Sequence, residues 1–263
     1  QKYDSDNGFC YWSEYIAGDD VLDDVGWSIV VGTDNNPIVT GIIGLEDGGA
    51  DYVTAKFASA GGARLWLAQW PGAINNIEQR TSWLELMDGG DVVMGSRTWS
   101  ATTGYDVVLH RYAAATGDTV WTRRWNSGGA TADDARAMIQ DRDGNLLVCG
   151  VSAGNYFVLK ADGATGQPLW NAGYHGPPNW WDTALVLAEA PDGTVVASGL
   201  SDGTTTGWDV ATAGFDPATG AQRWAVRYDG SGQSDEPRAI AASPQGDLFV
   251  TGYLYSYDTQ NDL

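Results

Sequence analysis

The sequence predicts an all-β fold, a five-bladed β-propeller with four antiparallel strands per blade. The first observation behind this prediction is a five-fold repeat of roughly fifty residues. The second is the composition, because 35 Gly, 13 Trp and 12 Tyr in 263 residues favour short strands and turns over helices. The third is that the two chain ends match complementary parts of one repeat. We therefore expect a single domain over residues 1–263.

The most regular element of the repeat is a glycine followed four residues later by a tryptophan. The five pairs are Gly8 and Trp12, Gly62 and Trp66, Gly117 and Trp121, Gly166 and Trp170, and Gly220 and Trp224. The glycine marks a turn, and an aromatic residue is typical of a strand. We assign this tryptophan to the fourth strand of each blade, strand d.

Strands a and b precede this element as two apolar runs joined by a turn of the Asp-Gly type. The five segments are Ile29 to Gly41, Leu84 to Gly95, Met138 to Gly150, Val186 to Gly199 and Ile240 to Gly252. Such turns between short apolar runs predict hairpins. We align the five hairpins on Asn35, Gly89, Gly144, Gly193 and Gly246. Strand c then opens with an acidic or amide residue, namely Asp51, Asp106, Asn155, Asp209 and Asp262.

The phase of the repeats predicts how the ring closes. The repeats span about 19–72, 73–128, 129–176, 177–230 and 231–263, and residues 1–18 complete the last. The final repeat stops at Leu263, just inside strand c, and Gln1 to Asp4 matches the end of strand c. A repeat array must close or be capped, so we expect the N- and C-terminal strands to share the last blade. The alternative is a piece of a seven- or eight-bladed ring.

Two segments resemble a known repeat family. Gly214 to Trp224 and Lys160 to Trp170 are similar to the tryptophan-docking motif of pyrroloquinoline-quinone-like propeller repeats. Asp133 to Ala137, followed by Asp143 to Gly150, resembles the SBBP-type repeats of bacterial surface proteins and lipoproteins. The resemblance implies the propeller fold and leaves the function open. Quinone-dependent dehydrogenases of this superfamily generally have eight blades and often an adjacent cysteine pair, so five repeats and two separated cysteines argue against quinone chemistry.

The charge of the chain limits its partners. A formal net charge of −20 repels phosphate backbones, so we expect no nucleic-acid partner. No apolar run approaches the length of a transmembrane segment. Cys10 and Cys149 do not form a disulfide framework, and we predict both to be free and buried. We expect a secreted, periplasmic or cell-surface protein whose leader is not in this sequence, and a monomer.

One column of acidic residues is a candidate metal site. Counting eleven residues back from the aligned hairpin residue gives Asp24, Glu78, Asp133, Asp182 and Asp235. Closure of the ring would place these carboxylates around the mouth of a central channel, where they would attract cations. Calcium, which prefers several oxygen ligands, is the candidate cofactor. The alternative is structural, because an aspartate at a strand entry commonly accepts backbone N–H bonds and fixes a turn.

Residues that break the repeat are the candidate ligand-binding residues. They are Trp99, Tyr105, His175, Trp180, Trp181, Trp208 and Tyr255. Aromatic faces beside carboxylates suit sugars or quaternary ammonium groups, and packing between blades is the alternative. We predict His110 to lie on the surface. The basic residues of strand c, Lys2, Lys56, Arg111 and Lys160, are expected to point outward.

These features predict a non-enzymatic extracytoplasmic binding or interaction module. Its acidic, aromatic-rich face would take a cation, a small cationic ligand, a glycan or a protein partner. One alternative is a glycoside hydrolase or lyase that uses two carboxylates of the same face. Another is a purely structural ring of a larger surface protein. No nucleophile elbow, phosphate loop or HExxH motif occurs, so no catalytic residue is assigned.

Overall fold

A computed structural model describes residues 1–18, 24–46, 49–71, 83–129, 131–176, 181–203, 205–230 and 232–254. Within these ranges all of the regular secondary structure is β-strand, and every strand pair is antiparallel. Across the same ranges, no helix has the length and apolar content needed to cross a membrane. The chain forms two compact units, Gln1–Asn126 and Ser127–Leu263.

Unit 1 contains a hairpin and two four-stranded sheets. The N-terminal hairpin is β1 (Lys2–Tyr3) and β2 (Cys10–Trp12). Blade 1 is β3 (Val25–Val31), β4 (Pro37–Gly44), β5 (Ala50–Phe57) and β6 (Arg64–Trp70). Blade 2 is β7 (Trp83–Leu86), β8 (Val92–Ser100), β9 (Gly104–Tyr112) and β10 (Thr119–Trp125).

Unit 2 repeats this plan and ends on a hairpin. Blade 3 is β11 (Asp133–Gln140), β12 (Leu146–Ser152), β13 (Asn155–Ala161) and β14 (Pro168–Tyr174). Blade 4 is β15 (Asp182–Glu189), β16 (Val195–Gly203), β17 (Gly207–Phe215) and β18 (Gln222–Tyr228). The C-terminal hairpin is β19 (Asp235–Ala242) and β20 (Leu248–Leu254).

The predicted order of strands within a repeat is confirmed in all four blades. Each sheet runs a, b, c, d in chain order, so neighbouring strands in sequence are neighbours in space. The hairpins β1–β2 and β19–β20 each form a two-stranded sheet of their own. The number of blades and the composite last blade therefore remain predictions.

The turn between strands a and b is held by one residue in the left-handed conformation. This residue is Asn35, Gly90, Gly144, Gly193 or Gly246, with φ between 63° and 96°. Our alignment placed Gly89 in this column, and Gly90 is the correct residue, because Gly90 N donates to Met87 O just as Gly144 N donates to Asp141 O. The sequence Asp-Gly-Gly-Asp offers two adjacent glycines, and only the backbone distinguishes them.

Strand a of three blades and of the C-terminal hairpin contains a bulge at the same place. The register shifts between Gly26 and Ser28, Ala135 and Ala137, Ala184 and Val186, and Pro237 and Ala239. A bulge inserts one unpaired residue and re-aims the side chains on either side of it. Residues before the bulge therefore do not follow the alternation of the rest of the strand, which sequence periodicity did not reveal.

The apolar core of each unit lies between successive blades. In unit 1 it includes Ile42, Tyr52 and Met94, and in unit 2 it includes Tyr156 and Phe215. The Tyr156 hydroxyl donates to Ala211 O of the next blade at 2.9 Å, so its polar end is satisfied while its ring is buried. Both cysteines are free as predicted, and Cys149 is buried. The prediction that Cys10 is buried was wrong, because Cys10 is exposed on β2 of the N-terminal hairpin, a two-stranded sheet within the described residues.

A lysine and the repeated tryptophan together fasten one blade to the next. In blade 3, Trp170 Nε1 and Lys160 Nζ donate to the same carbonyl, Pro217 O, at 3.0 and 3.2 Å. The same pair of bonds reaches Ala114 O from Lys56 and Trp66, and Ser59 O from Lys2 and Trp12. We call this arrangement the Lys–Trp clasp.

The clasp explains the glycine that stands four residues before the tryptophan in three repeats, namely Gly62, Gly117 and Gly220. A Cβ at Gly220 would lie 2.7 Å from the Trp170 ring of the preceding blade, and the φ of Gly220 is +73°. Gly117 is in the same situation beneath Trp66, at 2.7 Å and +76°. The glycine is therefore required both by the turn and by the indole that packs on it.

The prediction that the basic residues of strand c point outward was wrong. Lys56 and Lys160 are buried, with side chains only 4% and 8% exposed, and they form ion pairs with Asp34 and Asp141 at 2.6 and 2.7 Å. Arg111 pairs with Asp91 in the same way, at 3.0 Å. The aliphatic stems lie along the core while the charged ends reach carboxylates of the a–b turn.

Candidate functional site

The inner acidic residues fasten the loop that enters each blade. In four repeats the carboxylate accepts the backbone N–H of a residue five or six positions earlier. These bonds join Gly18 to Asp24, Ser127 to Asp133, Gly176 to Asp182 and Gly230 to Asp235, at 2.6–3.1 Å. A carboxylate that accepts such bonds stabilises the turn before strand a.

Further bonds complete the structural role of these aspartates. The Ser127 hydroxyl donates to Asp133 Oδ1 at 2.7 Å, and the Ser201 hydroxyl donates to Asp182 Oδ1. Asp133, Asp182 and Asp235 are at most 1% exposed. Among the residues that the structure describes, no group of three or more His, Cys, Asp or Glu side chains is arranged to hold a metal ion.

Glu78, the remaining member of the predicted column, lies outside the described residues. The count that selected it began at Gly89. The same count from Gly90, which holds the left-handed position of the turn, reaches Gln79. The column therefore has four carboxylates whose position and bonding are described.

The residue that opens strand c forms a second ion pair with strand d. Arg124 Nε lies 2.5 Å from Asp106 Oδ2, and Arg227 Nη2 lies 2.6 Å from Asp209 Oδ2. Thr103 and Thr206 donate their hydroxyl protons to the same two aspartates. Burial alone would lower the pKa of Arg227, but its interactions with Asp209 and Tyr174 together outweigh burial and raise the pKa.

Among the four described blades, this pair is made in blades 2 and 4, where the loop between strands b and c has the same sequence pattern. Thr102 to Asp106 and Thr205 to Asp209 both read Thr-Thr-Gly-aromatic-Asp. In blade 1 the partner of Asp51 is the neutral Gln69, at 2.8 Å. We did not single out Arg124 and Arg227 from the sequence, although both stand eighteen residues after their aspartate, and that fixed spacing was the available signal.

The aromatic residue of the blade 2 pattern faces a buried guanidinium. Tyr105 pairs across the hairpin with Trp99, which is 48% exposed. The Arg97 guanidinium carbon lies 4.5 Å from the centroid of the Tyr105 ring. Trp99 therefore lies at the solvent-facing end of the b–c hairpin, while Tyr105 contributes to packing.

In blade 4 two of the predicted tryptophans flank an aspartate. Asp202 pairs with Trp208 across β16 and β17, and Asp202 N donates to Trp181 O at 3.0 Å. Trp181 is 49% exposed, and Asp202 and Trp208 are half-buried. Asp202 was absent from our predicted site, because only the cross-strand register shows that it stands between the two rings.

His175, another predicted site residue, is exposed and precedes Gly176, where a Cβ would lie 2.2 Å from Ser201 Oγ. Gly176 thus lets the chain pass close to the Asp182 and Ser201 side chains. Trp180 and Tyr255 lie outside the described residues.

The described carboxylates of these loops differ in what they can do chemically. Asp182 and Asp209 are bonded to backbone N–H, hydroxyl or guanidinium groups. Asp202 forms no side-chain hydrogen bond or ion pair in the part of the chain that the structure describes. The loop end of blade 4 therefore offers one free acceptor between two aromatic rings.

Comparison with known proteins identifies the fold. No model of a protein family and no curated protein matches the sequence. The structure is similar to the Dos1 propeller, with a TM-score of 0.56 and 12% identity over 93% of this chain and 60% of that one. It is similar to a europium-containing methanol dehydrogenase, with a TM-score of 0.53 and 14% identity over 90% and 51%.

A third similar structure is a putative 6-phosphogluconolactonase from Bacteroides uniformis ATCC 8492, with a TM-score of 0.51 and 14% identity over 88% of this chain and 68% of that one. The chain spans 61% of the length of BamB from Moraxella catarrhalis and 60% of the Dos1 propeller. At these identities the likeness concerns the fold. With its repeated four-stranded antiparallel sheets, the protein is a β-propeller of repeated blades.

Proposed function

We propose that the protein is a non-enzymatic binding module that takes its ligand at the loop end where strands b and c meet. The observation that carries the proposal is the contrast between two sets of side chains there. The repeated carboxylates are bonded internally, whereas Trp99 and Trp181, which break the repeat, are each about half exposed. Each unit thus exposes one large aromatic side chain at this end of a blade, and such side chains are typical of ligand recognition.

The same contrast weighs against the glycosidase alternative. Glycoside hydrolysis needs one carboxylate as acid and another as base or nucleophile across the scissile bond. Asp106, Asp182 and Asp209 each have a hydrogen-bonding or ionic partner. The proposal includes an extracytoplasmic location, which rests on the resemblance of the repeats to those of bacterial surface proteins.

Binding without turnover tests this proposal. The purified protein is incubated with an array of glycans and peptides, and retained compounds are examined by mass spectrometry. We expect at least one class of compound to be retained unchanged, and retention to fall at least tenfold in the double variant Trp99→Ala/Trp181→Ala. Leu65→Ala, which removes an equally exposed side chain of strand d, is the matched control. Cleaved products would contradict the proposal and favour an enzyme.

We propose further that the ring has five blades and that the two hairpins are halves of the fifth. In unit 1, a cleft of about 680 Å³ lies along β3 and is lined by Trp12, Ile29 and Val31. In blade 4 the corresponding strand, β15, is packed against β11 and β12. Among its described residues, unit 1 therefore has no preceding hairpin of strands a and b at β3.

Unit 2 has an exposed apolar cleft of its own, beside β19–β20. A cleft of about 530 Å³ between β17–β18 and β19–β20 is lined by Val226, Tyr228, Val250 and Tyr253. These side chains are 39–59% exposed, a degree of apolar exposure expected of a surface that lacks its neighbour. Unit 2 therefore lacks a hairpin of strands c and d, which is what β1–β2 would supply.

A designed disulfide tests the fifth blade. Leu146 pairs with Ala161 in blade 3, and the repeat places Leu248 and Tyr3 at the same two positions. In a Cys10→Ser background, Leu248→Cys with Tyr3→Cys should oxidise within one molecule at micromolar protein. Leu248→Cys with Tyr11→Cys, which is out of register, should not. Cross-linked dimers in place of the internal bond would overturn closure within one chain.

A further inference from the structure

Three side chains form a row across three neighbouring strands of blade 4. Asp202 on β16 pairs with Trp208 on β17. On its other side Asp202 N donates to Trp181 O at 3.0 Å, which continues the register of Asp182 with Ser201. Residues directly opposite each other in antiparallel strands project from the same face of the sheet. The row therefore presents an aspartate between two tryptophans, and we call it the Trp–Asp–Trp row.

The carboxylate of this row is the one that the nearby cation leaves unpaired. Arg227 Nη2 bonds Asp209 Oδ2 at 2.6 Å, and Arg227 Nη1 bonds Ser201 Oγ at 2.6 Å. Arg227 reaches Asp202 only at its backbone oxygen, at 2.9 Å. Arg227 thus neutralises Asp209, and Asp182 is held by neutral donors, the Gly176 N–H and the Ser201 hydroxyl. The Asp202 carboxylate has neither kind of partner among the described residues.

The side chains of the Trp–Asp–Trp row are not repeated in blade 3, so repetition does not indicate a structural role for them. In blade 3, Asp133 pairs with Ser152, so the equivalents of Trp181 and Asp202 are Ala132 and Ala153. Blade 3 forms its four-stranded sheet with these two small residues. The equivalent of Trp208 is Gly154, so the two tryptophans and the aspartate of blade 4 are not needed to build a blade.

We propose that the Trp–Asp–Trp row binds an organic cation, an alkylated ammonium group or a guanidinium, with the ring faces on either side and the carboxylate beneath. The inference rests on the proposed binding function and specifies its ligand. An ammonium group over an aromatic face is attracted by the ring quadrupole, and a carboxylate that has no partner adds a direct charge contact. The net charge of −20 raises the local concentration of cations around the whole chain.

The donor and acceptor balance of the row favours a cation over a sugar. A sugar hydroxyl both donates and accepts hydrogen bonds, and sugar sites offer partners of both kinds. The guanidinium nearest the row, that of Arg227, is already bonded to Asp209 and Ser201. The two indole N–H groups are the donors that remain for a sugar, whereas the negative charge of the carboxylate between the rings is matched only by a cation.

Calorimetry with cationic probes tests the site and distinguishes a free small cation from a protein partner as the ligand. Tetramethylammonium represents a free small cation, and a peptide with one trimethyl-lysine represents a protein partner, with the unmodified lysine peptide alongside. We expect saturable binding of at least one probe, weakened about tenfold by Asp202→Asn and about 2- to 30-fold by Trp181→Ala or Trp208→Ala. A preference for the peptide over tetramethylammonium would assign the source to a protein.

Two control variants make the same kinds of substitution, Asp→Asn and Trp→Ala, outside the Trp–Asp–Trp row. Asp143→Asn removes the same charge from the exposed a–b turn of blade 3, and Trp27→Ala removes an exposed tryptophan from unit 1. Both should bind the probes like the wild type, and circular dichroism should show that all variants are folded. Absence of binding by every cationic probe at millimolar concentration would overturn the inference. Retention of a neutral glycan that is insensitive to Asp202→Asn would also overturn it, while the proposed binding function would stand.

Discussion

Replacing Lys160 with methionine should lower the free energy of unfolding by about 3–5 kcal/mol, because it leaves the Asp141 carboxylate buried without its cation. The two side chains form an ion pair of 2.7 Å and are only 8% and 2% exposed. Lys160 Nζ also donates to Pro217 O of the next blade. Methionine retains an aliphatic stem of similar length, so the lost charge and hydrogen bonds dominate the effect.

The matched variant is Lys56→Met in blade 1. Lys56 forms the same clasp with Trp66 and pairs with Asp34 at 2.6 Å, but the Asp34 side chain is 49% exposed. Water can solvate Asp34 when the lysine is removed, so we expect a loss of only about 1–2 kcal/mol. Urea unfolding at pH 7 measures the loss of stability of both variants. Hydrogen exchange of β5 and β13 assigns each loss to its unit. Equal losses would show that the buried carboxylate is not the cause.

A second readout is the pH dependence of the Lys160 variant. Burial would raise the pKa of Asp141, but hydrogen bonds from Lys160 and Asn145 outweigh burial and hold the pKa below its ordinary value of 3.8. This stabilisation is present above that value and is lost as the pH falls through the lower, folded-state pKa. The difference between wild type and Lys160→Met should therefore shrink in strong acid.

The clasp shows what the repeat could and could not predict. The spacing of glycine and tryptophan predicted strand d, because turn chemistry and aromatic strands are local properties. The burial of Lys160 was not predictable in this way. Its counter-ion lies in the a–b turn, and the carbonyl that it shares with Trp170 belongs to the next blade. A basic residue on a strand is ordinarily exposed, and only long-range partners reverse that expectation.

In the candidate site, too, local features were predictable from the sequence and long-range partners were not. Asp133 and Asp182 were predicted to stand at the entry to strand a, and they do, because a column in a repeat needs only counting. The sequence does not show whether Gly89 or Gly90 takes the left-handed position of the turn. We counted from Gly89, and this count selected Glu78. Trp181 and Trp208 were selected as aromatic residues that break the repeat. That Asp202 lies between them follows from the pairing of strands a and b. The bulge after Ala184 shifts this register, so counting along the chain does not identify Asp202.

His110 was predicted to be exposed, but it lies fully buried on β9, and it should make unit 1 sensitive to acid. Its Nδ1 is 3.0 Å from Thr122 Oγ1, and its ring centroid is 4.3 Å from that of Trp70. Nε2 is buried and has no hydrogen-bond partner among the described residues. The equivalents of His110 in the other blades are apolar, namely Ala55, Leu159 and Ala213. The fold therefore accommodates the neutral imidazole and provides no carboxylate for the charged one.

Burial lowers the pKa of His110 from 6.5 to about 4. Between these values the unfolded chain binds a proton that the folded chain does not, so stability decreases as the pH falls from 6.5 towards 4. The decrease amounts to about 3 kcal/mol, which is the shift multiplied by 1.36 kcal/mol per unit. His110→Leu, which copies the residue of blade 3, should remove this part of the pH dependence. His175→Gln, which removes the exposed histidine, is the control for losing an imidazole.

Urea unfolding of the three proteins at pH 7, 6, 5 and 4 measures the effect, with hydrogen exchange of β9 as the report from unit 1. Carboxylates also contribute at the acidic end, but they are common to all three proteins and cancel in the differences. We expect the wild type and His175→Gln to lose about 3 kcal/mol more than His110→Leu between pH 7 and pH 4. Parallel profiles for wild type and His110→Leu would mean that the imidazole takes up its proton without opening the contact with Trp70. In that case the acid sensitivity of unit 1 would have to come from its carboxylates, with the ion pair of Arg111 and Asp91 the next to be examined.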